Sequence, residues 1–342
     1  MSSNDPSSCV DCQRSFGCYS SPIACPKCEK LLCSTCASTY ALVVFDPDNP
    51  DESNDLTKNS DVQCFCKTCF QQTSVLDFSK TCDVVEPTTP NSNGITLVMT
   101  HGGGGSRAMF HPHAKILAEK YGYTCIMPDL PGHGSLVDEP LSLDTCADTI
   151  LKILQQHNLK PGDKTVYVGA SFGAYVGFHI LRQHQDYFKG AILLDCGQNV
   201  GPGASLMATV GLSFLKSITV MMSNKTMSSL LMKEVKKSPA DYKIVESTLG
   251  AGFMFQQGVQ QIQCLKSVAP ATIIPELDMP MLFFNGSKDY RDSEDKWLAL
   301  CKREHSELKV YDKGDHFFTH DSRFVDDMLE RFDAFSKIAA AD

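Results

Sequence analysis

Cysteine and histidine are distributed so unevenly along this chain that they divide it into two parts. Eleven of the 16 cysteines precede Glu86, whereas all ten histidines follow Gly94. The segment between these two positions is rich in Pro, Thr and Asn and has no apolar periodicity, which is typical of a linker. We therefore predict a cysteine module over residues 1–75, a linker or first sheet edge over 76–93, and a larger domain over 94–340.

Charge and hydropathy limit the partners of the chain. It has 31 basic and 40 acidic side chains, a formal net charge of −9, so no nucleic acid is expected as a partner. No uninterrupted apolar run reaches the roughly 18 residues that a membrane span needs. The sequence begins MSSNDPSS without a basic and apolar leader, so we expect a cytoplasmic protein with reduced thiols.

Four Cys-x-x-Cys pairs lie within the first 70 residues, namely Cys9/Cys12, Cys25/Cys28, Cys33/Cys36 and Cys66/Cys69. Two residues between thiols let one tight turn direct both sulfurs at a common point, and two such turns complete the tetrahedral shell of Zn²⁺. Eight thiolates thus predict two structural zinc ions. Because the segment has few strong strands, metal binding would supply much of its folding free energy, on the order of 10 kcal/mol per site.

The spacing of these pairs resembles that of a FYVE-type zinc finger over residues 9–70, including the ending Cys66-Lys-Thr-Cys69-Phe70. The resemblance implies cross-braced binding, with Cys9, Cys12, Cys33 and Cys36 on one zinc ion and Cys25, Cys28, Cys66 and Cys69 on the other. Cys64 is an alternative to Cys66 as a ligand. Fingers of this type that bind phosphatidylinositol 3-phosphate carry a basic run around the second pair, where this chain has Ser21-Pro-Ile-Ala-Cys-Pro26. A structural or protein-binding role is therefore favoured over endosomal membrane binding.

Beyond Gly94, short apolar runs alternate with stretches of helical periodicity. The apolar runs predict strands over 95–100, 123–127, 164–169, 190–195, 280–284 and 308–311. The periodic stretches predict helices over 107–121, 144–157, 172–184, 293–303 and 320–338. Such alternation is typical of an α/β fold with a doubly wound, mostly parallel sheet, in which functional residues follow the carboxyl ends of strands. The first edge of this sheet is short, and we expect the cysteine module to cover it.

Two glycine-rich turns follow predicted strands. Gly169-Ala-Ser-Phe-Gly173 matches G-x-S-x-G between a strand and a helix, a setting in which a sharp turn exposes a nucleophilic serine. His101-Gly-Gly-Gly-Gly-Ser106 can bring backbone N–H groups close to a substrate oxygen, where each fixed donor stabilises an oxyanion by roughly 3–4 kcal/mol. We assign the oxyanion hole to the amides of Gly103 and Phe172, and a structural role beneath the loop to His101.

These turns, together with Met127-Pro-Asp-Leu-Pro-Gly-His-Gly134, resemble the α/β-hydrolase superfamily over residues 94–340. The superfamily's chain order of nucleophile, acid and base implies a triad of Ser171, Asp289 and His316, with the acid in Asn285-Gly-Ser-Lys-Asp289 and the base in Lys313-Gly-Asp-His316. Asp195 is an alternative acid and His320 an alternative base. The resemblance also implies a helical lid over about 197–279, whose Met and Phe side chains can line an acyl-chain pocket.

The features together predict a serine hydrolase that cleaves carboxylic esters, as an esterase or a lipase does, through an acyl-enzyme. Its substrate would be a small-molecule or lipid ester, and a thioester would use the same residues. The zinc finger would serve structure or targeting. Two alternatives stay open: a non-catalytic zinc-finger adaptor with a hydrolase fold, and the same enzyme recruited by its finger to a protein partner or to endosomal phosphoinositide membranes.

Overall fold

Two small hairpins and two short helices make up the cysteine module in the computed structural model. The structure describes residues 7–16, 22–37, 39–45, 60–88, 92–197, 201–202, 224–235, 242–289 and 293–341. The elements of the module are β1 (Ile23–Ala24), β2 (Leu31–Leu32), α1 (Ser34–Ala37), β3 (Ala41–Phe45), β4 (Ser60–Cys64) and α2 (Lys67–Thr73). Strands β1 and β2 pair antiparallel, as do β3 and β4. The apolar core of the module is small and centres on Leu32, Leu42, Phe65 and Phe70.

A seven-stranded sheet organises the rest of the chain. Its strands are β5 (Cys82–Val85), β6 (Thr96–Thr100), β7 (Thr124–Pro128), β8 (Thr165–Ala170), β9 (Gly190–Leu194), β10 (Met281–Gly286) and β11 (Glu307–Tyr311). Their order across the sheet is β11-β10-β9-β8-β6-β7-β5, and every neighbouring pair is parallel except β5 and β7. The predicted doubly wound, mostly parallel sheet is confirmed. Six of the strands begin and end within two residues of their predicted bounds, because strands buried on both faces form continuous apolar runs.

Helices cover both faces of the sheet. They are α3 (His111–Tyr121), α4 (Leu143–Gln156), α5 (Phe172–His184), α6 (Asn224–Val235), α7 (Tyr242–Ala251), α8 (Gly258–Ser267), α9 (Pro270–Ile273), α10 (Glu294–Leu298) and α11 (Val325–Ala339). Helices α3 and α11 share one apolar core with the sheet, and α4 and α5 share the other. Among the described residues, no helix has the length and apolar character that a membrane crossing requires.

Helices α6 to α9 form the connection between β9 and β10, where the sequence predicts a lid over about 197–279. Part of that segment lies outside the described residues, namely 198–200, 203–223 and 236–241. The described part passes over the carboxyl ends of the strands, since Met254 N donates to Gly104 O at 2.8 Å in the glycine-rich loop after β6.

The cysteine module packs on this lid. Ala41, Val43 and Val62 of the β3–β4 hairpin share an apolar cluster with Leu249 and Phe253. This differs from the expectation that the module covers the sheet edge. The physical reason is that β5 already supplies an antiparallel edge strand, while β3 and β4 satisfy their backbone hydrogen bonds with each other. The hairpin therefore gains stability by burying its apolar side chains rather than by pairing with the sheet.

Candidate active site and cysteine tetrads

Ser171 lies on a strained turn between β8 and α5. Its backbone has φ 49° and ψ −113°, a region that non-glycine residues rarely occupy. The two flanking glycines are needed because strand and helix approach closely. A Cβ at Gly169 would lie 2.7 Å from the carbonyl carbon and oxygen of Gly173, and a Cβ at Gly173 would lie 2.8 Å from His101 O. The turn therefore projects the serine hydroxyl from the end of β8, as the G-x-S-x-G pattern predicts.

The structure brings Ser171, His316 and Asp289 together, although 145 residues separate the serine from the histidine. His316 Nε2 lies 3.1 Å from Ser171 Oγ, and His316 Nδ1 lies 2.7 Å from Asp289 Oδ2. The loops after β10 and β11 fix these side chains by bonding to each other. Ser287 N donates to Tyr311 O at 2.9 Å, and Lys288 N donates to Gly314 O at 2.8 Å.

The carboxylate of Asp289 also changes the protonation of the imidazole. Burial alone lowers the pKa of His316, but the hydrogen bond and the negative charge of Asp289 outweigh burial and raise it above its usual value of 6.5. The ring is still 43% exposed because it lines a cavity. A group with these contacts can accept the proton of Ser171 and hold it as an imidazolium.

The alternative acid, Asp195, lies close to the triad, with a carboxylate oxygen within 4.8 Å of a ring nitrogen of His316, but the hydrogen bond to His316 Nδ1 comes from Asp289. Its carboxylate is 6% exposed, and its Oδ1 has no hydrogen-bond partner among the described residues. Burial, with the nearby charges of Asp289 and Glu294, raises the pKa of Asp195 well above its usual value. A carboxyl group in this position favours the protonated, neutral form, which suits the acid of a triad less well than Asp289 does.

The alternative base, His320, lines the same cavity but faces the lid. Its Nε2 lies 3.1 Å from Thr248 Oγ1 on α7, and its Nδ1 lies 3.0 Å from Thr319 Oγ1. Burial lowers its pKa to about 3, so the ring is neutral. His320 therefore connects the loop after β11 to the lid, while His316 contacts the serine.

The glycine-rich loop after β6 is supported from below by His101. Its Nδ1–H donates to Gly102 O at 2.8 Å, and its Nε2 accepts a hydrogen bond from Leu130 N at 3.1 Å. Burial lowers the pKa of His101 to about 4, which keeps the ring neutral, as this pair of bonds requires. The predicted oxyanion residues lie beside the serine: Gly103 lines the cavity, and Phe172 is the first residue of α5. A helix amino terminus offers amide donors without intrahelical partners.

A cavity of about 390 Å³ opens in front of Ser171. Its walls are mostly apolar and come from the lid, from the glycine-rich loop and from the loop after β11; apolar members of the wall include Met109, Met227, Leu249, Phe253, Phe255 and Phe317. No lysine or arginine lines it among the described residues. Sequence reasoning missed Gln261, whose side chain occupies the space where a Cβ of Gly103 would lie. No local pattern marks this residue, because only the crossing of α8 over the loop places it there.

The eight paired cysteines form two tetrads with the cross-braced grouping that the FYVE resemblance implies. Cys9, Cys12, Cys33 and Cys36 form one tetrad, and Cys25, Cys28, Cys66 and Cys69 form the other, with the sulfurs of each within 4.8 Å of one another. The Cys12–Cys33 and Cys28–Cys66 sulfur distances are 3.8 and 3.7 Å. Zinc–sulfur bonds of about 2.3 Å in a tetrahedron give sulfur separations of about 3.8 Å, so both tetrads fit Zn²⁺.

The pKa values of the thiols shift in both directions within each tetrad. Burial and the neighbouring thiols raise the pKa values of Cys36, Cys66 and Cys69. Burial raises the pKa of Cys9, but backbone amides of Cys12 and Cys33 that donate to its sulfur lower the pKa to about 7. The amides of Cys66 and Lys27 have the same effect on Cys25, whose pKa is also about 7. Cys64 lies outside the tetrads, at the end of β4 beside the apolar cluster with the lid.

Comparisons with known proteins agree with the fold described above. The sequence profile described as the alpha/beta hydrolase fold matches residues 95–322. The chain is similar in structure to an esterase from Exiguobacterium antarcticum, with a TM-score of 0.58, 16% identity, and 75% of this chain and 94% of that chain covered. It is also similar to a thermophilic esterase from Thermogutta terrifontis, with a TM-score of 0.58, 16% identity, and 78% of this chain and 97% of that chain covered. For MenH from S. aureus the TM-score is 0.59 and the identity 16%, with 76% of this chain and 99% of that chain covered.

Identities this low show the fold alone, and comparison with curated protein sequences gave no match. The profile match begins beyond the cysteine module, so the likeness of that module to a FYVE-type finger stays a prediction.

Proposed function

The chain belongs to the alpha/beta hydrolase fold family, and from this premise we propose that it is a serine hydrolase that cleaves carboxylic esters. The main support for this proposal is that His316 contacts both of its proposed partners: its Nδ1 lies 2.7 Å from Asp289 Oδ2, and its Nε2 lies 3.1 Å from Ser171 Oγ. Two of the solved structures with a similar fold are esterases, which is in keeping with this activity.

The reaction follows from the roles that these groups can take. Ser171 Oγ attacks the ester carbonyl carbon while His316 Nε2 accepts its proton, and Asp289 stabilises the imidazolium. The carbonyl oxygen becomes an anion that accepts hydrogen bonds from the amides of Gly103 and Phe172. The imidazolium then protonates the leaving alcohol. Water, deprotonated by the same ring, attacks the acyl-enzyme, releases the carboxylic acid and restores the serine hydroxyl.

The cavity favours a neutral substrate with an apolar acyl group. Its wall is largely methionine, leucine and phenylalanine, and among the described residues no lysine or arginine lines it to bind a carboxylate or a phosphate. A small-molecule or lipid ester meets these requirements, and a thioester presents the same carbonyl chemistry.

We propose further that each cysteine tetrad holds one structural zinc ion. The donor set of four thiols, the sulfur separations near 3.8 Å and the small apolar core of the module support this assignment. Metal analysis of the purified protein is expected to give about two zinc ions per chain, and a zinc-free folded module would contradict it.

Active-site labelling tests the proposed activity. A fluorophosphonate is expected to form one adduct per chain on Ser171, and Ser171→Ala is expected to abolish both the adduct and the hydrolysis of nitrophenyl esters. Ser267→Ala is the matched control, because Ser267 lies exposed at the end of α8, where its hydroxyl donates to Cys264 O of the same helix. A folded protein that neither reacts with the probe nor hydrolyses any ester would favour the alternative, a non-catalytic adaptor.

A further inference from the structure

We propose that the cysteine module is part of the substrate site: it fixes the lid segment Leu249–Phe255 that forms one wall of the cavity, and so determines the acyl-chain length that the enzyme accepts. This inference rests on the proposed ester hydrolysis at Ser171. It assigns positioning roles to module residues that lie outside the cavity.

The wall and the module share one apolar cluster. Leu249 and Phe253 line the cavity, and the same two side chains pack with Ala41, Val43 and Val62 of the β3–β4 hairpin. Phe255, a third wall residue, packs at the border of this cluster, and its ring stacks on Phe253 with centroids 6.1 Å apart. The residues that face the substrate space are therefore supported from behind by the module.

Hydrogen bonds and a close approach hold the same segment. Just beyond α2, Val75 N donates to Gly250 O at 3.1 Å and Ser74 Oγ donates to Ala251 O at 3.0 Å. Gly252 has φ +85°, and a Cβ there would lie 2.9 Å from the ring of Phe70 and 3.0 Å from Leu42 Cδ2. Only glycine permits both this backbone conformation and this approach.

The opposite side of the segment contacts the glycine-rich loop after β6. Besides the bond from Met254 N to Gly104 O at 2.8 Å, the ring of Phe255 fills the space where a Cβ of Gly104 would lie. Residues 252–255 thus lie between the module and the glycine-rich loop. Because both contacts are close, a shift of the module changes the position of the wall relative to Ser171.

The tetrad that contains Cys66 and Cys69 lies next to the contact of Phe70 with Gly252. Phe70 follows Cys69 in α2, and Cys66 forms the N-cap of that helix, so the two sulfurs that would bind zinc fix the helix that carries Phe70. The apolar core of the module is small. Metal binding is therefore expected to determine whether Phe70 and Leu42 keep their positions against the lid.

The consequence is a dependence on acyl-chain length. An acetyl group reaches little beyond Ser171 and the glycine-rich loop, whereas a longer chain contacts Leu249, Phe253 and Phe255. Each methylene that becomes buried favours binding by about fourfold. In the wild-type protein, kcat/KM is therefore expected to rise with chain length until the cavity is full. Where the wall is no longer held, this rise is expected to flatten while acetate ester hydrolysis persists.

The test compares nitrophenyl esters from acetate to dodecanoate in the full-length, zinc-loaded protein. Leu42→Ala removes a side chain that is 2% exposed, and Gly252→Ala disturbs the lid side of the same contact without changing the module. Ile23→Ala, at a position 44% exposed on the β1–β2 hairpin, is the control within the module. Metal content, fluorophosphonate labelling rate and amide hydrogen exchange of residues 249–255 are measured on each variant.

We expect Leu42→Ala and Gly252→Ala to keep about two zinc ions, and Leu42→Ala to keep acetate ester activity within about threefold. The octanoate-to-acetate ratio of kcat/KM is expected to fall at least tenfold, with faster exchange in residues 249–255, and Ile23→Ala to match the wild type. An unchanged ratio in zinc-loaded Gly252→Ala would overturn the inference, and so would an equal loss on all chain lengths. Failure of the proposed function looks different, because the wild-type protein itself would then show neither labelling nor hydrolysis.

Discussion

Replacing Asp289 by Asn tests the assignment of the acid at the site. The 2.7 Å contact between Asp289 Oδ2 and His316 Nδ1 requires that Nδ1 carry the proton, which leaves Nε2 free to accept the proton of Ser171. An asparagine amide in the same place can donate to Nδ1 and so favours the opposite tautomer, in which Nε2 is already protonated. We expect kcat to fall by about 10⁴-fold, which corresponds to about 5.4 kcal/mol of transition-state free energy.

The same variant is expected to change the pH dependence of the residual activity. His316 must be neutral to act as a base, so kcat/KM of the wild-type protein falls as the pH drops through its raised pKa. Asp289→Asn removes the charge that raises this pKa, while the burial that lowers it stays. The acidic limb of the profile should therefore move to lower pH.

Asp195→Asn is the matched control, because the same substitution is made in a neighbouring carboxyl that is 6% exposed and whose Oδ1 has no hydrogen-bond partner among the described residues. Both variants would be assayed with one nitrophenyl ester under saturating conditions, with the fluorophosphonate rate as a second measure. We expect Asp195→Asn to keep kcat within about tenfold. If instead Asp195→Asn loses the activity and Asp289→Asn keeps it, the reasoning from the 2.7 Å contact is refuted.

Two further predictions concern stability, and both use the fluorescence of Trp297, the only tryptophan and a buried one, during urea unfolding. Gly173→Ala places a Cβ 2.8 Å from His101 O and is expected to cost about 2 kcal/mol of unfolding free energy; an unchanged midpoint would argue against the close approach of strand and helix. His101 and His133 are neutral because burial lowers their pKa values to about 4 and about 3, below the unfolded value near 6.5. The unfolded state therefore binds more protons than the folded state. The free energy of unfolding should fall as the pH drops from 6.5 to 4, by at most about 1.4 kcal/mol per pH unit for each ring. A free energy of unfolding that does not change over this pH range would contradict the neutral state of the two buried rings.

Much of the fold could be predicted because its signals are local. The central strands are covered on both faces, so burial appears in the sequence as short, continuous apolar runs with Gly or Asp at their ends. The three residues of the proposed triad follow three such runs, and parallel strands bring their carboxyl ends to one edge. The cysteines of the two tetrads could also be predicted, since each Cys-x-x-Cys pair is a unit of four consecutive residues. Only the grouping of the pairs into tetrads depends on the tertiary fold.

Helix bounds were less predictable where tertiary contacts decide them. The predicted helix over 293–303 extends only over Glu294–Leu298, because Leu300 N and Cys301 N donate to Trp297 O and Leu298 O in tighter turns. The predicted helix over 320–338 begins at Val325, after a short 3₁₀ turn at Phe318–His320. Residues that form good helices in isolation are thus held in other conformations by their neighbours.

Arg107 shows why the sheet edge does not need the cysteine module. Its buried guanidinium pairs with Asp83 of β5 and with Asp129 after β7, and it donates to Asp77 O at 2.6 Å. These bonds tie the edge strand and the chain that precedes it to the body of the sheet. A charged side chain with this many partners fixes the edge without help from the β3–β4 hairpin, since an edge strand that is already paired and tethered has little left to gain from a further strand.

The position of the module on the lid explains a feature of the sequence that amphipathic patterns leave unexplained. The stretch Leu249-Gly-Ala-Gly-Phe-Met-Phe255 contains no polar side chain, although a lid with one face in solvent should alternate polar and apolar residues. In the structure, one side of this stretch faces the cavity and the glycine-rich loop, and the other side faces Leu42, Val43 and Phe70. Burial on both sides requires an apolar sequence throughout. The module and the lid therefore share one hydrophobic surface, and any change that separates them exposes it to water on both partners.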